Sequence, residues 1–236
     1  MISKELLLSG CAEMGVTISE EAADRLDLYA RRLVEYNEKV NLTAITAPDE
    51  IVCKHFIDSL SLLKYVSLSA GASLCDVGTG AGFPGLVLLA VVPELKVTLM
   101  DSINKKLDFS RSLTEELGLS ADIVTIRAED AGKRTEYREQ FDVVTARAVA
   151  QLNLLAEYCV PLVKVGGVFA PLKAVLSEEE RQRGCGAAAN LSAGAAEKHR
   201  YTLPDGSERE IIIFRKKGNT PGRYPRNAAQ IAKKPL

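Results

Sequence analysis

Histidine is scarce in this chain. His55 and His199 are the only two in 236 residues, so a Ser-His-Asp arrangement is poorly supported. Cysteine is present but unorganised: Cys11, Cys53, Cys75, Cys159 and Cys185 form an odd, scattered set with no C-x-x-C spacing. That pattern argues against a metal centre and suits reduced thiols in a cytoplasmic protein. Long apolar runs are missing too, residues 86–92 being among the longest, so no membrane span is expected. The first residues carry Lys4, Glu5 and Glu13 with no continuous apolar stretch, which leaves no secretory signal to read. There is no Asn-Pro-Pro-aromatic run to position an exocyclic amine, and no Pro-Cys pair for attack on a pyrimidine ring. What remains is ordinary. With 47% hydrophobic and 26% charged residues, the chain suits one substantial core, or one core plus a small appendage.

The most informative stretch is Cys75-Asp76-Val77-Gly78-Thr79-Gly80-Ala81-Gly82-Phe83-Pro84-Gly85. An acid ends an apolar run, glycines follow, and a second apolar run begins after them. This reads as strand, tight turn and helix start, a loop built for close backbone approach to a ligand. Gly80 to Gly85 also matches the G-x-G-x-x-G dinucleotide fingerprint, a weak signal alone. Asp101, about twenty residues on, fits either a dinucleotide or S-adenosylmethionine, since both carry ribose hydroxyls. Two details favour the methyl donor. A carboxylate at Asp76 attracts the methionine ammonium and repels a pyrophosphate, and Pro84 removes an N–H that would bind phosphate. No Lys-Ser or Lys-Thr follows, which excludes a P-loop.

Two kinds of pattern divide the chain. Residues 1–66 read as a helical extension, with Ser19 as an N-cap, Leu26, Ala30, Leu33 and Val40 at helical spacing, and a second helix from Pro48-Asp49. From residue 67 to 217, short apolar runs alternate with helices. Strands are expected at 74–77, 97–100, 123–126, 141–145 and 168–172, and helices at 104–117, 152–164 and 178–191. Gly118 stops one helix, and Gly166-Gly167 is read as a turn. Residues 198–203 and 210–216 bracket Pro204-Asp205-Gly206-Ser207, a hairpin signal. The expectation is an α/β fold: a mostly parallel sheet covered on both faces, closed at one edge by an antiparallel pair. Residues 218–236 lack apolar periodicity and are expected to pack only at isolated points.

In such a sheet, residues just after strand ends carry functional weight. Asp76 and Asp101 meet this test, as do Ala128 and Glu129 for an adenine, Arg147 for cofactor or base, and more weakly Lys173. Asn41, His55 and Asp58 could line an acceptor pocket or form a buried set that holds the extension on the core. Past Glu210 there is no acid but seven bases: Arg215, Lys216, Lys217, Arg223, Arg226, Lys233 and Lys234. Removing them from the net charge of −1 leaves −8 for the rest, so a cationic tail on an acidic body suggests a polyanionic partner. If all seven met phosphates, they would contribute roughly 5 to 6 units of log–log salt dependence. Guanine N7 has a free lone pair and needs no proton removed, so the sparse set of acids and bases is consistent with it as acceptor.

Several blocks together are more specific than the glycine run. They are Asn41-Leu42-Thr43-Ala44-Ile45, His55-Phe56-Ile57-Asp58-Ser59-Leu60, Asp76 to Gly85, Ala128-Glu129, Arg147-Ala148-Val149, Tyr224-Pro225-Arg226 and Lys234-Pro235-Leu236. On these, nearly the whole chain resembles the bacterial 16S rRNA guanine-N7 methyltransferases, once called glucose-inhibited division protein B (small-subunit methyltransferase G). The resemblance implies a Rossmann-like class I S-adenosylmethionine-dependent fold with an N-terminal helical extension. It implies donor contacts at Gly78, Phe83, Ala128, Glu129 and Arg147, with Gly80 and Gly82 in the same loop. S-adenosylhomocysteine would be the product, 16S rRNA or the small ribosomal subunit the partner, and a decoding-region guanine the acceptor. No obligate protein partner is evident. Arg147 is then the candidate catalytic residue, and Asn41, His55, Lys173, Arg223 and Arg226 the candidate RNA contacts. Asn227, Ala229 and Ala174 depart from the family pattern, which bears on the tail and Lys173. Another RNA or a small molecule as acceptor, and a nicotinamide oxidoreductase, are the alternatives.

Overall fold

The computed structural model of the chain covers residues 1–236. Eight strands form one sheet: β1 (Ser73–Val77), β2 (Lys96–Asp101), β3 (Ala121–Thr125), β4 (Phe141–Thr145), β5 (Val163–Phe169), β6 (Leu172–Ala174), β7 (Ala193–Thr202) and β8 (Glu208–Lys216). Their order is β3-β2-β1-β4-β5-β8-β6, with β7 also paired to β8. β1 to β5 are mutually parallel, and β8 runs antiparallel to β5, β6 and β7. The central strands are apolar almost throughout because helices cover both faces; β1 is buried from Leu74 to Val77. The chain steps from β1 outward to β3 and then returns to β4 on the other side. A crevice therefore opens above the carboxyl ends of β1 and β4.

The first 66 residues, together with the helices Gly85–Val91 and Asn104–Glu116, build one of the two covering layers. Ser19 accepts a hydrogen bond from Ala22 N (3.1 Å) and starts the helix Glu20–Asn37, which buries Leu26, Tyr29, Ala30 and Leu33. That face joins Phe56, Leu60, Leu88 and Leu99 in a core shared with the sheet. Val40 lies past the helix end. There the Asn37 side chain accepts from Leu42 N (2.8 Å) and Thr43 N (3.0 Å) and turns the chain toward the crevice. The expected helix does begin at Pro48, but Ile51–Ile57 is wound as a π-helix, with Asp58 N donating to Cys53 O. The opposite layer packs Leu155, Cys159, Phe169, Phe214 and Tyr224 together.

Three expectations need correction around β5. The helix after Gln151 ends at Cys159, not near residue 164, because Pro161 cannot continue it; a short 3-10 turn, Val160–Leu162, leads straight into β5. Gly166-Gly167 lies inside β5, where the register against β4 shifts. A Cβ at Gly167 would stand 2.6 Å from Asp142 O, so the close strand approach requires glycine. The strand expected at 168–172 is split: Ala170-Pro171 separates β5 from β6, and Lys173 lies within β6.

The tail also differs from expectation. Asn227 and Gln230 form a capping box on the helix Ala228–Lys233, and Tyr224 and Ile231 are buried. Arg138 donates to Tyr224 O (2.8 Å) and Thr220 O (2.7 Å). Arg226 donates to both carboxylate oxygens of Glu157 (2.8 and 2.5 Å), whose side chain is fully buried. The carbonyl of Leu236 accepts from Asn153 (2.9 Å). Arg226→Ala strands that buried carboxylate and is expected to cost about 3 kcal/mol in urea unfolding. Pairing it with Glu157→Leu should recover most of the loss; an unchanged midpoint in the single variant contradicts the assignment.

Candidate functional site

The glycine loop is organised from below by carboxylates. Asp76 Oδ2 accepts from Thr79 Oγ1 (2.6 Å) and from Gly85 N (2.8 Å), which closes the loop on itself. Asp101 Oδ2 accepts from Gly80 N (3.0 Å) and Oδ1 from Ile103 N (2.9 Å). Gly78 and Gly82 have φ of +70° and +97°. A Cβ on them would stand 2.5 Å from Val149 Cγ2 and from the Tyr29 hydroxyl respectively, so neither position admits a side chain. Asp76 is completely buried, and burial raises its pKa to about 6 against the opposing bonds from Thr79 and Gly85. The expectation that it faces a ligand is therefore corrected: it lies under the loop and shapes it.

Two chambers open above the strand ends. The larger, about 810 Å³, is bounded by Thr43, His55, Phe83, Arg147, Lys173 and Glu180. The second, about 490 Å³, has Met100, Ile126 and Ala128 as apolar walls and Asp101 and Glu129 as acids; Ala228 and Ala232 of the tail helix also line it. Gly78, Lys106 and Ala148 belong to both. Lys54, Lys106, Arg147, Lys173 and Arg209 give the larger chamber a cationic lining, against two carboxylates, Asp58 and Glu180.

Arg147 follows β4 and reaches into the N-terminal layer. Its Nη1 donates to Asp58 Oδ2 (2.8 Å), Lys54 O (3.0 Å) and His55 O (3.3 Å), and Nη2 lies 3.3 Å from His55 Nδ1. The π-wound segment turns those two carbonyls toward the guanidinium. His55 stacks on Phe83 (4.2 Å, 19°), Tyr29 stacks on Phe83 (5.5 Å, 2°), and the Arg147 guanidinium lies 4.9 Å from the same ring. His55 Nε2 lies 2.9 Å from Thr43 Oγ1. Because Arg147 can only donate, Nδ1 accepts and Nε2–H donates to Thr43. Burial, and then the Arg147 charge, lower the His55 pKa to about 3.

The other expected site residues are distributed unevenly. Ala128 and Glu129 open a short turn of helix after β3 and meet in the second chamber with Asp101, as expected from their strand-end positions. Gly80 and Phe83 line the larger chamber, whereas Gly82 lies under Tyr29. Asn41 is exposed and lines neither chamber; Thr43, two residues on, takes the place expected of it. Lys173 lines the larger chamber with its ammonium already engaged, on Ala150 O (2.8 Å) and Glu180 Oε1 (3.0 Å). Arg223 is exposed, and Arg226 is committed to Glu157. Tyr201 and Arg209 reach the site from the hairpin. Nothing local in the sequence marks them, because their place depends on how β7 and β8 pair.

Residues 22–209 match the model of the GidB family, rRNA small subunit methyltransferase G. The chain belongs to this family. A ribosomal RNA small subunit methyltransferase G from Exiguobacterium sibiricum is 44% identical over 100% of both chains, and that of Bacillus subtilis is 43% identical over 98% of each. Among solved structures, a methyltransferase from Pyrococcus furiosus superposes with a TM-score of 0.55 at 16% identity, over 80% of this chain and 98% of that one. A SAM-dependent O-methyltransferase from Thermotoga maritima gives 0.53 at 16% identity, over 80% and 73%. These structures share the Rossmann-like fold that family membership calls for.

The depressed His55 pKa carries a pH signature. The unfolded chain takes up this proton near pH 6.5, but the folded chain does so only near pH 3. The contribution of His55 to stability is therefore intact above pH 6.5 and lost as the pH falls toward 3. In urea unfolding, His55→Gln should flatten the acid limb between pH 6.5 and 4.5 by up to about 1.4 kcal/mol per pH unit relative to wild type. Parallel pH profiles contradict the neutral, buried ring.

Proposed function

We propose that this chain transfers a methyl group from S-adenosylmethionine to N7 of a guanine in the decoding-region loop of 16S rRNA, acting in the cytoplasm on the RNA or the small subunit. The reading is carried by one observation: two chambers of different chemistry meet at a side-chain-free wall, Gly78, with Lys106 and Ala148 beside it. Three segments share the work, residues 1–66 over the acceptor, 67–217 beneath both chambers, and 218–236 beside the second.

The second chamber fits adenosine. Met100, Ile126 and Ala128 offer apolar surface to a purine, Glu129 an acceptor for its edge, and Asp101 acceptor lone pairs for ribose hydroxyls. The bare backbone at Gly78 and Gly80 admits the methionine end closely. When bound, S-adenosylmethionine supplies an electrophilic methyl group on a sulfonium.

The larger chamber fits a nucleotide. Its cations suit a phosphate backbone, and the Arg147–His55–Phe83 assembly forms a rigid floor for a base. Both His55 nitrogens and both Asp58 oxygens are engaged, so neither is free to take a proton. N7 methylation requires none: its lone pair attacks directly, and the contribution of the site is alignment with water excluded. No helix is long and apolar enough to cross a membrane, in keeping with this reading.

Incubation with labelled donor and total ribosomal RNA should place the label in 16S rRNA as N7-methylguanine. Label in another RNA, or only in small molecules, would redirect the assignment. Arg147→Ala should fold yet lose methyl transfer by about a hundredfold; full activity would remove Arg147 from the site. Arg226 is used internally, so the tail beyond residue 217 offers RNA only Arg223, Lys233 and Lys234. Substituting all three with Ala should lower the log–log salt slope of RNA binding by roughly 2 to 3 units, and an unchanged slope would leave the tail a purely structural role.

A further inference from the structure

Asp58 and Glu180 are the two carboxylates that line the larger chamber, and they are used differently. Asp58 has both oxygens engaged, Oδ1 by the Tyr201 hydroxyl and Oδ2 by Arg147, each at 2.8 Å. Glu180, in the first turn of the helix Glu178–Asn190, uses one. Its Oε1 accepts from Leu152 N (2.9 Å) and forms an ion pair with Lys173 Nζ (3.0 Å). Oε2 has no protein partner, and the side chain is 19% exposed in the chamber wall. The two anchors come from separate elements, the first N–H of the helix Leu152–Cys159 and a lysine on β6. The carboxylate is therefore held in position by the fold itself.

A fixed carboxylate in a base-sized chamber selects bases by their hydrogens. Guanine presents N1–H and N2–H side by side, two donors that one free carboxylate oxygen, with its two lone pairs, accepts together. Adenine and cytosine present one donor beside a ring-nitrogen lone pair, which a carboxylate repels. Uracil presents one donor between two carbonyls. The N1–N2 edge of guanine also lies across the purine from N7. Glu180 lines only the larger chamber, whereas Gly78 and Ala148 line both. A guanine gripped at its N1–N2 edge leaves N7 free to face the shared wall.

We propose that Glu180 is the specificity-determining residue that accepts the N1–H and N2–H of the target guanine, with Lys173 and the N–H of Leu152 as its positioning groups. The assignment rests on the guanine reading above. It also gives Lys173 a different role from the direct RNA contact expected of it.

The test compares small subunits reconstituted on 16S RNA carrying either guanine or inosine at the methylated position. Inosine keeps N7, O6 and N1–H but lacks the N2 amine. Wild type should favour guanine in kcat/KM by roughly ten- to a hundredfold, the range for losing a hydrogen bond to a charged group. Glu180→Ala should lose most of its guanine rate and show a guanine-to-inosine ratio near one. Glu180→Gln keeps an oxygen for Leu152 N–H and reads the same ratio if the alanine variant fails to fold. Binding of S-adenosylhomocysteine by calorimetry should stay within about twofold in the folded variants, since a residue outside the second chamber has no contact to lose there. A ratio identical in variant and wild type overturns the role of Glu180 alone, as does a large loss of product binding. Failure of wild type to methylate the guanine substrate overturns the guanine reading, and this proposal with it.

Discussion

The guanidinium of Arg147 is the joint on which the site depends. It is carried by the parallel sheet but bonded almost entirely to the N-terminal layer, through Asp58 and the carbonyls of Lys54 and His55. A largely buried cation needs close partners to offset its lost hydration, and the π-wound turn supplies two carbonyls beside the Asp58 carboxylate, that of His55 while it also accepts from Asp58 N and Ser59 Oγ. Asp58 in turn accepts from Tyr201 on the edge hairpin. One ion pair thus ties three parts of the fold together around the larger chamber. His55 is held neutral beside it, because both its burial and the neighbouring charge oppose protonation.

The same use of carboxylates as scaffolding recurs beneath the glycine loop. Asp76 and Asp101 each collect loop N–H or O–H groups that would otherwise lack partners in a glycine-rich turn. Leaving the loop surface free of side chains requires its conformation to be held from underneath, and two acids at the ends of neighbouring parallel strands do this. Asp101 also faces the second chamber, whereas Asp76 does not.

Charge in the C-terminal region divides between fold and surface. Lys216 is buried on Glu139 and two carbonyls, and the half-buried Arg226 is paired with the buried Glu157. Their partners lie far back in the sequence, so the cationic run reads as a solvated arm when only neighbours are visible. The helix that Arg226 anchors, through Glu157 and Lys234 O, brings Ala228 and Ala232 against the second chamber. The tail is thereby part of the wall as well as a carrier of exposed cations.

Legibility followed the range of each interaction. The sequence alone determined the parallel sheet, the hairpin, the glycine loop and the strand-end residues Asp101, Ala128, Glu129 and Arg147. Those signals are local: apolar runs, turn residues, and the rule that ligands meet strand ends. Proline at 161 and 171 was enough to move boundaries that apolar periodicity had put elsewhere. Only the tertiary structure decided which way side chains are committed: Asp76 turned under its loop, Lys173 held on Glu180, Arg226 on Glu157, and Glu180 in the chamber wall with one oxygen unpartnered. A charged side chain carries the same signal in the sequence whether it meets solvent, ligand or a distant partner. Burial and pairing, which set its energy and therefore its role, exist only once the chain has folded.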